Sequence, residues 1–182
     1  MSVTVPAGQG TPALAAGHFN VRQERHMSTK LNDAEKLLGE FIGKFEPTLQ
    51  RLIKAVRNKL RRRYPSAHEI VYDNYNFFVI GYSPTERPSD SIVSMAAAAN
   101  GVGLCFIRSA SLADPKKILL GSGKQTRFIR LESVGVLNRP EVEALLAAAA
   151  SKAKVPLEAK GRGKLIIKSV SAKQRSRRKK HA

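Results

Sequence analysis

Apolar residues recur along this chain at two spacings, and the switch between them divides it into elements. Leu37, Leu38, Phe41, Ile42 and Phe45 lie at helical spacing and predict a first helix from about Asp33 to Phe45, with Asn32 or Asp33 accepting from its free first-turn amides. Pro47 restarts the chain at the first turn of a second helix, where its missing N–H costs nothing. Leu49, Leu52, Ile53, Val56 and Leu60 form the apolar stripe of that helix, and Arg51, Lys54, Arg57, Arg61 and Arg62 are expected on its outer side. Tyr64 precedes Pro65 and is pushed out of helical angles, so the helix should end near Arg63.

The spacing then becomes that of strands. His68–Tyr72 has strand character, Asp73-Asn74 reads as a turn, and Tyr75–Tyr82 is apolar on both alternating faces. Ile92–Ala98 predicts a third strand, Asn100-Gly101 a hairpin turn, and Val102–Arg108 the returning strand. Asp114-Pro115 is expected to open a short helical segment, Lys116–Leu120, and Thr126–Glu132 a further strand. Arg139–Lys154 predicts the last domain helix, with Val142, Leu145, Leu146 and Ala149 packed inward. Leu165–Val170 is a short apolar run suited to an extra edge strand. The organisation expected is a disordered extension over residues 1–29, an α+β domain over 30–154, and a linker with a basic tail over 155–182.

Charge changes this picture more than any other bulk property. The 182 residues carry 32 basic and 14 acidic side chains, a net of +18. From Lys152 onward there are 12 basic residues and a single acid, Glu158. Such a field attracts polyanions by counterion release. It predicts nucleic-acid association through the second helix and the tail, with Arg175, Arg177, Arg178, Lys179 and Lys180 on phosphates and Lys173–Lys180 disordered when free. No apolar run approaches the roughly 20 residues needed to span a bilayer, the N-terminus lacks signal-peptide order, and Cys105 is the only cysteine. A cytoplasmic protein without membrane partners is expected.

Little catalytic chemistry stands out. Gly121–Thr126 (GSGKQT) lacks the leading glycine and the Ser or Thr after Lys124 that a nucleotide phosphate loop needs. It retains a weaker possibility, an anion held by the turn amides with Lys124 and Arg127. Three of the four histidines lie in the expected tails, no metal-ligand cluster is visible, and no nucleophile–base set emerges, so neither cofactor nor catalytic residue is expected. The sheet face opposite the helices, near Tyr75, Phe77, Cys105 and Arg127, is the expected pocket. A flat apolar face there would suit a homodimer.

Several segments carry a family resemblance. ERPSD at Glu86–Asp90, VGLCFIR at Val102–Arg108, LADPKKILLGSGKQTRFIRL at Leu112–Leu131 and KSVSAKQRSRR at Lys168–Arg178 resemble the bacterial YdhG-like domain-of-unknown-function family. PSAHEIVYDNYN at Pro65–Asn76 fits it too. The resemblance implies a frataxin-like fold, an antiparallel sheet of about five strands with N- and C-terminal helices on one face. It also implies a non-enzymatic binding domain of unassigned ligand. Some members of the family are described as frataxin-like iron chaperones. Iron carriage is thus an alternative, resting here on Asp33, Glu35, Glu40 and Glu46, interleaved with Lys36 and Lys44. No metal ligand is carried over from the family.

Overall fold

The computed structural model describes residues 31–123 and 125–179. The whole of the expected 1–29 extension, Lys124 and Lys180 therefore lie outside the described residues. Residues 31–43 are helical (α1), followed by α2 (Pro47–Arg63). Then come β1 (His68–Asp73), β2 (Phe78–Ser83), β3 (Val93–Ala98), β4 (Gly101–Ile107), β5 (Thr126–Leu131), α3 (Pro140–Ser151) and β6 (Leu165–Val170). The fold is α+β.

The strands form one six-stranded sheet in the order β5-β4-β3-β2-β1-β6. The first five strands make an antiparallel meander, and β6 adds parallel to β1. The sheet is thus mixed and one strand larger than the five-stranded antiparallel sheet expected. The added strand is the apolar run Leu165–Val170. Leu165 and Ile167 share the helix-facing side with Glu69 and Val71, so β6 widens the sheet instead of folding over its other face.

Alternation along the strands sets the core. Phe78, Ile80 and Tyr82 of β2, Val93 and Met95 of β3, and Leu104 and Phe106 of β4 meet the helices. Leu38, Phe41, Ile42 and Phe45 come from α1 and its end, and Ile53, Val56 and Leu60 from α2. Val142, Leu145, Leu146 and Ala149 come from α3. The rings of Phe41 and Phe45 pack against Phe78 at 6.3 and 6.1 Å between centroids, tilted geometries that add to the area they bury.

Local chemistry explains the other departures. The amide of Asn74 donates to Phe77 O at 2.9 Å, which closes a turn through Tyr75 and Asn76 and delays β2 to Phe78. Ala98 pairs with Gly101, so the hairpin turn is Ala99-Asn100; the positive φ of +140° falls on Gly101 as the strand resumes. No helix forms over Lys116–Leu120. Asp114 takes the amides of Ile118 and Leu119 with its carboxylate, Lys117 adopts φ +53°, and Leu120 bridges to Phe128 instead. A carboxylate that captures local amides offers the backbone an alternative to helix.

Candidate functional site

Outward-pointing residues align in rows across the sheet, on the face away from the helices. One row runs Tyr72, Val79, Ala96, Gly103, Arg130. The next runs Gly81, Ser94, Cys105, Phe128. Small residues in the middle of the first row, with Phe77 and Phe128 standing beside them, leave a shallow apolar concavity of about 470 Å³. Its polar groups are few: the Ser94 hydroxyl, the Cys105 thiol, Thr126, Asn100, and the exposed guanidinium of Arg130 at the rim, which donates to Asn100 O at 3.5 Å. Burial pushes the Cys105 thiol up, and a hydrogen bond with Ser94 pulls the other way. A cavity of this size with an apolar lining and a few placed polar groups suits a small ligand.

The opposite side of the sheet carries buried charge. Glu69, on the helix-facing side of β1, accepts from Arg57 Nε at 2.8 Å and Nη2 at 2.7 Å. Arg57 also grips Glu35 of α1 through Nη1 at 2.8 Å and Nη2 at 2.7 Å. The Arg57 hydrogen bonds hold the Glu35 carboxyl below the usual carboxylate range, against a smaller opposing effect of burial. Burial alone would lower the Arg57 guanidinium, but its hydrogen bonds to Glu35 and Glu69 together raise it. Arg57 was expected on the solvated side of α2. It borders the apolar stripe instead, and its long side chain reaches two acids on neighbouring elements.

The basic tail is likewise built in. Arg177 donates to Asp73 Oδ1 at 2.9 Å and to Asn76 O at 2.7 Å, and also to Asn74 O. Its guanidinium lies 5.9 Å from the centre of the Phe45 ring. Lys44 holds the other Asp73 oxygen at 2.6 Å. The amide of Arg175 donates to Tyr75 O, and its guanidinium stands over the Tyr75 ring at 5.5 Å. Arg178 lies 4.0 Å from Glu46. Over the described residues 173–179 the expected disordered tail is a docked strap, held where Arg177 meets Asp73, a buried acid at the end of β1.

The expected site residues therefore separate. Phe77 and Cys105 line the open face together. Tyr75 does not join them, being paired with Arg175. Arg127 pairs with Phe106 and so points to the helix side, with Nε buried and without a partner. In the glycine turn a Cβ on Gly123 would meet Thr126 O at 2.6 Å, so the tight backbone accounts for that glycine. Lys179 is exposed at the end of the described chain. Missed were Ser94, Ala96 and Arg130, which only strand register brings together. A signal existed in the run of small residues at Ala96–Ala99 opposite Gly103.

Among the described residues, no group of three or more His, Cys, Asp or Glu side chains is placed to hold a metal ion, and no helix is long and apolar enough to cross a membrane. No family model, curated protein or solved structure matches the chain.

Proposed function

We propose that this chain is a non-enzymatic binding domain, of the YdhG-like kind, that takes a small amphipathic carboxylate on the open face of its sheet. The observation that carries the reading is the apolar concavity with Arg130 at its rim. The floor of Val79, Ala96 and Gly103 has no charged group, so it favours a hydrocarbon or ring. Arg130 forms no salt bridge among the described residues and lies beside Gly103, within reach of an acid at one end of that ligand. A concave surface fits a small molecule better than the flat face of a second copy. Iron carriage is less well supported, since Glu35 is already held by Arg57 and Arg61.

Decanoate is a suitable probe, titrated by calorimetry into the full chain. Binding is expected with decanoate and about tenfold weaker with decanol, which lacks the charge that Arg130 would meet. Ala96→Phe should fill the concavity and abolish uptake while the circular dichroism spectrum stays unchanged. Unaltered decanoate binding in a folded Ala96→Phe variant, or no uptake at millimolar probe, refutes the reading. Sedimentation at rising protein concentration distinguishes a dimer formed through the same face.

A further inference from the structure

A second concavity, of about 650 Å³, lies between the C-terminal end of α2 and the loop that leads into β6. We infer that it holds phosphates of a nucleic-acid backbone, gripped by Arg61, Arg62 and Arg162 with Asn58. This is a site apart from the open sheet face and independent of the reading given above.

The inference rests on how charge is distributed and on how the loop is built. Arg62 and Arg162 are exposed on opposite walls of the groove, and neither forms a salt bridge among the described residues. Arg61 lines the groove with about a third of its side chain exposed, and it also reaches Glu35 at 3.3 Å and Glu69 at 3.5 Å. Glu69 is the sole acid in the lining, and Arg57 already satisfies it from beneath. Arg63 turns away to Glu143. The wall itself is rigid. Gly163 donates its amide to Pro65 O at 2.9 Å, Lys164 donates its amide to His68 Nδ1 at 3.1 Å, and Glu69 donates its amide to Lys164 O at 2.8 Å. A Cβ on Gly163 would fall 1.7 Å from Ala67 O, so only glycine lets the loop lie this close to the strand entrance. Arg162 is thereby held at a fixed distance from α2.

The charge also continues beyond the groove. Arg51, Lys54, Asn58 and Arg61 follow one another at three- and four-residue steps on one side of α2, and the first three are exposed. Seven residues of helix separate Lys54 from Arg61, about 10 Å, a span that one phosphate cannot bridge and successive phosphates of a chain can. An extended polyanion therefore fits better than a single phosphate group. Arginine forks suit phosphate oxygens, and a partner of this kind releases counterions as it binds. Glu158, whose carboxylate sits 3.6 Å from the Cβ position of Gly161, is the opposing charge at the rim.

The test compares two double variants of equal charge in the full chain, using a fluorescein-labelled single-stranded oligonucleotide and anisotropy at several salt concentrations. Arg62→Gln with Arg162→Gln should weaken binding about tenfold and flatten the salt dependence by about 1.5 in log–log slope. Arg87→Gln with Arg139→Gln, on exposed positions outside the groove, should change affinity less than twofold. Glu158→Gln should tighten it. Equal losses in both double variants would mean a diffuse field without a site and would overturn the inference. Absence of binding at low salt would do the same, as would pyrophosphate binding as tightly as the oligonucleotide. The decanoate titration is blind to these substitutions, so failure of either reading leaves the other standing.

Discussion

The guanidinium of Arg177 and the carboxylate of Asp73 meet 2.9 Å apart with both side chains almost wholly withdrawn from water. The two residues are 104 positions apart in the chain. Removing one partner of a buried pair leaves a charge without compensation, commonly at about 3–5 kcal/mol. Lys44 stays on the other Asp73 oxygen, so Arg177→Met should cost somewhat less, about 3 kcal/mol. Urea denaturation measures this. The coupling is checked by a cycle with Asp73→Asn, in which the double variant should be less destabilised than the sum of the singles. Additive losses would show that Arg177 acts through its contacts with Asn74 O and Asn76 O instead.

Acid should weaken the fold through Glu35. Its folded carboxyl titrates below its unfolded one because Arg57 donates two hydrogen bonds to it. Stability from a depressed carboxylate is complete above the unfolded value, about 4.3, and is lost as pH falls through the folded value. Glu35→Gln should therefore be less stable than the native chain at neutral pH, with the gap closing in acid. Thermal melts between neutral pH and pH 3 follow that convergence. Parallel stability curves for the two proteins would rule the mechanism out.

Two helices were legible because each carries its own boundary signal, whereas α1 already includes residues 31–33, so Asn32 and Asp33 do not cap it, and it ends at residue 43 instead of Phe45. Pro47 and Pro140 start α2 and α3, and the inward residues Val142, Leu145, Leu146 and Ala149 follow from spacing alone. Strand existence was legible from alternation in the same way. What spacing cannot carry is a partner far along the chain. Arg57 and Arg177 look like solvated cations in a run of cations, and nothing local shows that Glu69 and Asp73 wait for them inside the fold. The open face was half legible. Phe77 and Cys105 were identifiable, but the concavity depends on Ala96 standing opposite Gly103, a fact of register.

Cys105 offers a chemical report on the open face. Burial raises its thiol, so little thiolate exists at neutral pH and reaction with an alkylating reagent should be slow. The rate should climb only at a pH above that at which an ordinary exposed thiol becomes reactive. Decanoate should then protect it, since the thiol shares the concavity with Ala96 and Phe128. Mass spectrometry after timed iodoacetamide exposure gives the rate. Fast alkylation at pH 7, insensitive to decanoate, would place the thiol outside the ligand's reach.

Gly163 is the position where one added methyl should reach furthest. The loop lies so close to the Ala67–His68 backbone that a Cβ has no room, and no flexible side-chain end is available to yield. The Gly163→Ala variant must therefore push the loop away from β1. Overpacking of this sort costs about 1–3 kcal/mol. The loss should be local at first, because β6 follows directly and pairs only with β1 at the sheet edge. Amide exchange should speed up in Leu165–Val170 and at Ser171, whose amide donates to Asp73 O, while β3 and β4 keep their protection. Moving the loop also moves Arg162, so oligonucleotide affinity should fall even though no charge has changed. Uniform loss of protection across the sheet would instead mean that β6 and the meander unfold as one unit.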